Sequence, residues 1–379
     1  MEKIKKLIFA LLGLFVASLV RPKKKFDLCF VRLDAIGDYI LFRNFVEFVK
    51  NSPEYSGKKI LLIGNEAWRD LAINLDSSFV DDFIWVNRNK LYNDFIYTIN
   101  KFKEIASIKS SMLVSSTHSR DFFYNDIISK VVKSNQKIAC LGDNLNISKS
   151  LRYISNLFFN EIISLSDNEK FEFYKNKKFF SILCHRNILL KKPVIEFKSE
   201  MRSSFDLPKR FAVFHIGASN PKRRWGSKKF SELINRFIKQ YNLPVVLCGG
   251  PGDIKQGVLI EKGCVESIHN LVGKTSLCQF LHILQKSEVL VSNETSAPHM
   301  AVALDVPKIF TISNGNHLHR FTPYPKSIFK NYYPIYHDGV LHADESLQEK
   351  FTIESPLNIN EIGVKKVFAE INEHYCGSI

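Results

Sequence analysis

The chain has 379 residues, of which 45% are hydrophobic and 24% charged, so it can bury a large core and form two domains. This balance excludes a disordered or fibrous protein. The seven cysteines are scattered without a CxxC pair, which argues against a disulfide framework or zinc site and fits a reducing, cytoplasmic compartment. Residues 1–25 hold seven basic residues and one acid, so they account for six of the fifteen net positive charges. The positive charges outside residues 1–25 are not accompanied by an aromatic-basic motif, which argues against nucleic-acid binding.

The N-terminus combines an apolar run with basic flanks. Residues 7–20 carry no charge, and Lys or Arg stand at positions 3, 5, 6, 21 and 23–25. As a helix this run spans about 21 Å, short of the roughly 30 Å hydrocarbon core of a bilayer. A secretory signal, a shallow membrane anchor and a helix packed on the protein itself all fit this pattern. We favour the anchor, with the basic flanks on anionic headgroups at the inner face of the cytoplasmic membrane.

The first half of the chain alternates strand-like apolar runs with helix-length amphipathic segments. The sequence predicts strands at 28–31, 59–63, 112–115 and 137–140, and helices at 38–50, 92–109 and 121–132. Residues 145–200 are less regular. The charged, proline-containing segment 191–209 is predicted to be a linker.

A second alternating series follows the linker. It predicts strands at 211–216, 244–248, 289–291 and 308–312, and helices at 227–240, 253–262, 276–287, 299–304 and 358–375. Two such α/β series indicate two Rossmann-like domains with parallel sheets and a cleft between them. The predicted divisions are a membrane-associating leader, two Rossmann-like domains and a C-terminal helix, at residues 1–25, 26–205, 206–357 and 358–379.

Residues 291–304 pass from a strand through small polar residues into a helix. Such a turn offers free backbone N–H groups and the positive end of a helix dipole, which suit a phosphate. Residues that follow two other predicted strands are candidates to act together with this turn. Gly37 and Asp38 follow the first strand, where Asp38 either caps the next helix or acts as a general base, with Asp34 as a rival carboxylate.

A basic turn follows the strand at 211–216. Gly217 and Ser219 can bring donors to a phosphate, and Lys222, Arg223 or Arg224 can neutralise it, although a charge run is also typical of a solvated turn. The Gly-rich loop 248–253 ends in an acid suited to ribose hydroxyls, but its spacing is not GxGxxG.

Two further patterns do not predict sites. Gly273 to Thr275 resembles the end of a P-loop, yet Ile268 stands where the first glycine is required. His317 and His319 lack a third ligand nearby, so we predict no metal.

Taken together and in this order, these segments resemble glycosyltransferase family nine, the heptosyltransferase-like enzymes of lipopolysaccharide synthesis. The resemblance extends from about Leu28 to Pro325. Its elements fall on Arg32 to Asp38, on His215 to Trp225, on Gly249 to Asp253 and on Asn293 to Ala301.

The resemblance implies a GT-B fold and an inverting, metal-independent transfer of a sugar from a nucleotide sugar to a lipopolysaccharide or other, lipid-linked glycan acceptor. It further implies that residues 26–205 form the acceptor-side domain and residues 206–357 the nucleotide-sugar-binding domain. No cofactor is implied. Asp38 is the implied base, and Gly37 belongs to its motif. The implied donor-binding residues are Ser219, Lys222, Arg223, Asp253, Glu294, Thr295, Ser296, Ala297 and His299. His299 is either a phosphate-loop contact or a packed structural histidine.

Three positions depart from the family pattern. Glu294 replaces an Asp, Ser296 replaces a Gly and would tolerate a positive φ poorly, and Arg223 replaces the usual Lys. These changes keep a non-catalytic GT-B-like protein that binds a nucleotide or glycan as the alternative.

Overall fold

The chain folds into two compact units, as seen in a computed structural model that describes residues 2–166, 169–197 and 204–375. Unit 1 comprises the residues up to 169 together with 173–189, and unit 2 comprises 170–172 and the residues from 190 onward. The boundary between the units, at residues 189 and 190, therefore lies just before the predicted linker at 191–209. Residues 170–172 belong to unit 2 because the buried Glu172 carboxylate pairs with the Arg320 guanidinium at 3.0 Å.

Unit 1 holds one six-stranded parallel sheet in the order β3-β2-β1-β4-β5-β6. Its central strands are buried on both faces and are therefore almost continuously apolar. The elements are α1 Glu2–Ser18, β1 Lys24–Arg32, α2 Ile36–Lys50, β2 Ile60–Asn65, α3 Arg69–Asp76, β3 Asp82–Val86, α4 Phe95–Ala106, β4 Ile108–Ser115, α5 Ile127–Val131, β5 Lys133–Cys140, α6 Lys149–Asn156, β6 Glu161–Ile163 and α7 Glu172–Leu183.

Several predicted boundaries in unit 1 were wrong. The helix expected at 92–109 ends at Ala106, because Ser107 caps it and Ile108 already pairs with Lys24 of β1. The helix expected at 121–132 begins with a π-helical turn at Phe122–Asp126. α3 and β3 were not predicted, and the irregular segment contains α6, β6 and α7.

Unit 2 repeats the same strand order, β12-β11-β10-β7-β8-β9, again with all pairs parallel. Described residues of the predicted linker carry no helix or strand, and its residues 198–203 lie outside the described ranges. The elements are β7 Ala212–His215, α8 Ser227–Tyr241, β8 Val245–Cys248, α9 Ile254–Gly263, β9 His269–Asn270, α10 Leu277–Lys286, β10 Val289–Asn293, α11 Ser296–Ala303, β11 Lys308–Ser313, β12 Tyr332–Tyr336, α12 Asp338–Leu341, α13 Glu345–Ile353 and α14 Val364–Tyr375.

The prediction of two Rossmann-like α/β domains is confirmed. Numbered within its own unit, each sheet has the order 3-2-1-4-5-6, and its strand order reverses beside the first strand. Ligands of open parallel sheets bind outside the carboxyl ends of the strands at this reversal. In unit 1 the reversal lies between β1 and β4, and in unit 2 between β7 and β10.

The N-terminal helix α1 packs on α4 of unit 1. Its small residues Ala10, Gly13 and Ala17 are buried, and a Cβ added to Gly13 would lie 2.5 Å from the Phe102 ring. Phe9 and Leu14 pack against the core of the unit, whereas six other large apolar side chains of α1 are exposed: Ile4, Leu7, Ile8, Leu11, Leu12 and Phe15. No helix in the described residues is both long and apolar enough to cross a membrane.

Candidate donor site and candidate base

The strand-order reversal of unit 2 brings two of the predicted phosphate-binding segments together. Ser292 of β10 pairs with His215 of β7, so the loops that follow these strands start side by side. The buried Asn293 amide joins the loops: it donates to the Ile216 carbonyl at 2.7 Å and accepts from the Trp225 N–H at 3.2 Å. Asn293 was matched to the family motif but its bridging role was not predicted.

Arg223 places a cation between these loops. It ends a 3₁₀ turn at Pro221–Arg223, whose start is capped by the Asn220 side chain. Its guanidinium donates to the Ser219 hydroxyl at 2.7 Å and to the Glu294 carbonyl oxygen at 3.4 Å. Both acceptors are neutral, so the positive charge remains available to an anion.

The N-terminus of α11 supplies backbone donors at the same edge of the sheet. The helix begins at Ser296, three residues before the predicted start, and its N-cap Thr295 makes no side-chain capping bond. Ser296 is not among the residues with positive φ, so replacing a glycine with serine does not strain this turn. The first-turn N–H groups of Ser296 and Ala297 suit a phosphate oxygen.

Glu294 is a buried acid beside Arg223. Burial raises the pKa of its carboxyl to about 7, against the opposing effects of the Arg223 charge and of the hydrogen bond from the Ser313 hydroxyl. Its other carboxyl oxygen has no hydrogen-bond partner among the described residues. A carboxyl with this pKa changes charge near neutrality, directly beside the cation that would hold an anionic ligand.

His299 lies inside unit 2 and contacts a tyrosine. Its Nδ1 is 2.6 Å from the Tyr324 hydroxyl, and burial, together with the Arg223 charge, lowers the histidine pKa to about 4. The imidazole is therefore neutral at pH 7. Of the two interpretations of His299, this packing favours the structural one.

Asp253 is buried beneath the glycine-rich loop. Its carboxylate accepts from the Gly250 N–H at 2.9 Å and lies 3.6 Å from the Arg224 guanidinium. A Cβ on Gly217 would come within 2.5 Å of the same carboxylate, so only glycine allows this approach. Asp253 thus ties the glycine loop to the basic turn. The contribution of Arg224 was left open by the sequence, because three cations stand in a row.

Lys222 faces the surface instead. Its ammonium pairs with Glu354 at 2.9 Å, and both side chains are more than half exposed. Exposed pairs of this kind contribute little to stability, so the lysine can exchange partners.

Unit 1 carries the two candidate carboxylates at its own strand-order reversal. The N-cap of α2 is Ala35, so Asp38 is not the capping residue; it is the third residue of the helix, in the first turn, and is partly exposed. Gly37 precedes it in the same turn. Asp34 forms an ion pair with Arg32 at 2.9 Å and accepts from the Thr117 hydroxyl at 3.2 Å. The structure therefore gives Asp34 a structural role.

A polar cavity of about 530 Å³ opens at the carboxyl ends of β2 and β3. Arg88 stands in its wall, with its guanidinium 4.1 Å from the centre of the Tyr124 ring and 3.6 Å from the Asp121 carboxylate. Amides, a carboxylate, a cation and an aromatic face suit sugar hydroxyls and anionic substituents. The sequence did not reveal this cavity, because its lining comes from separated loops: Asn65, Glu66, Ala67, Asn87, Arg88, Asn89 and Tyr124.

One group of side chains in the described residues is close enough to share a metal ion. It consists of Glu370, Glu373 and His374 on α14, outside the loops described above. His317 and His319 do not belong to such a group.

Comparisons with known proteins agree with this arrangement. The family model of glycosyltransferase family 9 (heptosyltransferase) matches residues 192–342, a segment that contains Arg223 and Glu294 but not Asp38. No curated protein matches the chain. The chain is similar to the solved structure of a family 9 glycosyltransferase from Veillonella parvula DSM 2008, with 16% identity, a TM-score of 0.72 and coverage of 94% of this chain and 100% of that one.

Two Escherichia coli structures show the same fold. ADP-heptose lipopolysaccharide heptosyltransferase II has 16% identity and a TM-score of 0.63, covering 92% of this chain and 98% of that one. Heptosyltransferase WaaC with ADP-2-deoxy-2-fluoro heptose has 13% identity and a TM-score of 0.65, covering 92% and 99%. These likenesses confirm the GT-B prediction. Residues 192–342 match the family model of glycosyltransferase family 9 (heptosyltransferase), and the chain has the fold of solved glycosyltransferases of that family.

Proposed function

We propose that the protein transfers a sugar from a nucleoside-diphosphate sugar to a lipopolysaccharide or other cell-surface glycan, with inversion and without a metal. The observation that carries this proposal is the Arg223 guanidinium, which is held by two neutral oxygens beside the N-terminus of α11. Structures of similar fold hold ADP or an ADP-heptose analogue. ADP-heptose is therefore the first donor to test.

The leaving diphosphate is the charge that this site must stabilise. As the bond to the anomeric carbon breaks, negative charge grows on the diphosphate oxygen. Arg223 and the N–H groups of Ser296 and Ala297 are fixed donors for that charge. Lys222 adds a second cation when it leaves Glu354. Together they supply the stabilisation that a metal ion provides in other transferases.

The acceptor hydroxyl must lose its proton as its oxygen attacks the anomeric carbon. We assign this proton to Asp38, which is partly exposed in the first turn of α2 and matches the base that the family resemblance implies. The attack occurs on the face opposite the leaving diphosphate, so the configuration inverts. The cavity lined by Arg88 is a place in unit 1 where the acceptor glycan can bind.

We propose that Asp253 acts on the donor indirectly, by shaping the glycine-rich loop 248–253. Its carboxylate fixes the Gly250 N–H, and the loop backbone is then presented to the ribose. We place the enzyme in the cytoplasm, peripherally on the inner face of the membrane, where a lipid-linked acceptor is accessible. No nucleic-acid partner is proposed.

The test is a thermal-shift panel on the full chain with ADP-, GDP-, UDP- and CDP-linked sugars, each with EDTA or Mg²⁺. A ligand that binds the folded state raises the melting temperature by mass action. We expect a shift with one nucleotide series that is unchanged by EDTA and absent in Arg223→Ala. Transfer or hydrolysis of that donor supports the enzyme. Binding without either supports the non-catalytic alternative, and a requirement for Mg²⁺ overturns metal independence.

A further inference from the structure

The outward surface of α1 is an unusual feature of unit 1. Its large apolar residues recur at helical spacing on the side opposite Ala10, Gly13 and Ala17. Leu11 and Phe15 are 58% and 65% exposed. The surface, called here the outer apolar face, consists of Ile4, Leu7, Ile8, Leu11, Leu12 and Phe15.

The start of α4 extends this face. The Phe9 ring packs edge-on against the Phe95 ring, with centroids 5.7 Å apart, and the Lys5 ammonium reaches the Asn93 side chain at 3.3 Å. Phe95 and the adjoining Ile96 are themselves 51% and 71% exposed. Two helices of one folded unit therefore present a single apolar surface.

The charged side chains around the outer apolar face are mainly basic, and the exposed acids beside it are Glu2, which pairs with Lys6, and Asp94 at the start of α4. No acidic residue occurs between positions 3 and 26, while Lys3, Lys5, Arg21, Lys23 and Lys25 are exposed. Apolar side chains bordered by basic residues fit the interface of an anionic bilayer, where the side chains enter the acyl boundary and the cations contact headgroups. A second copy of this chain would instead bring the like charges of two α1 helices together.

We propose that α1 and the start of α4 form a preassembled, in-plane binding surface for an anionic bilayer. The leader is then a fixed part of unit 1 and not a detachable anchor, because Ala10 and Ala17 belong to the core of that unit. This inference rests on the proposed placement at the membrane but is independent of the transfer chemistry. Vesicle binding needs no donor, so either proposal can fail alone.

The test uses the full chain, since removing α1 would uncover Phe102 and the α4 surface beneath it. Vesicles of phosphatidylcholine, with and without phosphatidylglycerol, are sedimented with the protein. We expect binding to the anionic vesicles, and a loss of about tenfold or more in Leu11→Glu/Phe15→Glu. Leu259→Glu on α9, at a position 61% exposed, is the matched control and is expected to bind normally.

Two further variants keep the test decisive. Ile96→Glu changes only the α4 part of the face, and we expect it to weaken binding about threefold or more. Lys3→Glu/Lys5→Glu leaves the apolar contacts intact and is expected to remove the preference for anionic vesicles. Melting temperatures of all variants establish that they are folded.

Equal vesicle binding by Leu11→Glu/Phe15→Glu and Leu259→Glu would overturn the proposal. A dimer in light scattering that dissociates in Leu11→Glu/Phe15→Glu, without vesicle binding by the parent, would assign the face to a second copy. Normal binding by Ile96→Glu would exclude the α4 extension.

Discussion

The two units share one strand order but use an arginine at the reversal point in opposite ways. In unit 1, Arg32 is fully buried, paired with the Asp34 carboxylate and placed 5.0 Å from the Phe42 ring centre. In unit 2, Arg223 is partly exposed and donates hydrogen bonds to two neutral oxygens, the Ser219 hydroxyl and the Glu294 carbonyl. A buried cation needs its own counter-ion, whereas a partly exposed one can take its counter-ion from a ligand.

The carboxylates show the reverse arrangement. Unit 1 offers Asp38 partly exposed in the first turn of α2, while unit 2 buries Glu294 with a pKa of about 7 and ties Asp253 to its glycine loop. The same topology thus places a partly exposed carboxylate at the reversal of unit 1 and a partly exposed cation at the reversal of unit 2, which is why we propose a base in the first and an anion site in the second. The strand order fixes where each site lies, and the side chains at the loop starts determine its chemistry.

The largest expected effect is the loss of transfer rate when the proposed base, Asp38, can no longer take a proton. Asp38→Asn is expected to lower the transfer rate by about a thousandfold, because general-base catalysis contributes on that order. Donor affinity should change less than about twofold, since the proposed donor-binding residues lie in unit 2. Single-turnover transfer and donor titration measure the two quantities. Asp70→Asn, an exposed first-turn acid of α3, is the matched control; near-normal turnover in Asp38→Asn would remove Asp38 from the mechanism.

The second largest effect is expected when the Arg223 cation of unit 2 is removed. Arg223→Ala is expected to weaken donor binding about a hundredfold, or about 3 kcal/mol, because a charge-assisted contact to phosphate is lost. Its melting temperature should change little, because the guanidinium donates to two neutral oxygens, a hydroxyl and a backbone carbonyl. Isothermal titration with the donor identified by the thermal-shift panel measures the affinity.

The matched contrast is the buried cation of unit 1. Arg32→Met leaves Asp34 without its cation and should destabilise the fold by about 3–5 kcal/mol in denaturant unfolding. Donor affinity of the folded variant should remain near that of the parent. If Arg223→Ala lost stability and kept donor affinity, the assignment of the two arginines would have to be exchanged.

Glu294 provides a pH-dependent effect of intermediate size. Its pKa is about 7 in the folded state against 4.5 for an ordinary glutamate, so its stabilising contribution is full below pH 4.5 and is lost as pH rises through 7. The stability difference between Glu294→Gln and the parent should therefore grow with pH across this window, by at most about 3 kcal/mol. Comparing variant with parent cancels the buried histidines, whose lowered pKa values act with the opposite sign.

Donor binding should follow the same titration. An ionised Glu294 beside Arg223 repels a diphosphate, so the affinity of the parent is expected to fall between pH 6 and pH 8 by about tenfold. Glu294→Gln should show a flatter profile. A parent profile that does not change over this range would place the diphosphate away from Glu294.

The sequence predicted the strand ends that matter but not the contacts that shape them. The alternation of apolar runs located β7, β8 and β10, and hence the loops with Ser219, Asp253 and Glu294, because loop position follows from the parallel topology. Ser313 was not predicted as a partner of Glu294, since it lies on the next strand. The register that sets Asn293 opposite Ile312 brings the two together.

Edge strands were the main omission, and for the leader the packed helix was one of three alternatives but not the favoured one. β12 contains Pro334, which argues against a strand in sequence but is tolerated at a sheet edge, where one N–H has no ladder partner to lose. In α1, the spacing of Ala10, Gly13 and Ala17 places them on one helix face, and this signal for packing was present in the sequence. The length and the basic charge of residues 1–25 nevertheless favour a membrane anchor, so the sequence alone does not lead to this packing.

The smallest expected effect concerns His299. Tyr324→Phe removes the hydroxyl that meets the His299 Nδ1 and should cost about 1 kcal/mol of unfolding free energy, because one buried hydrogen bond is lost. Donor affinity should change less than about twofold if His299 only supports α11 from inside unit 2. Denaturant unfolding and donor titration of the same sample measure both. A tenfold loss of donor affinity with unchanged stability would instead make His299 part of the diphosphate site, and unit 2 would then bind the anion with the histidine as well as with Arg223.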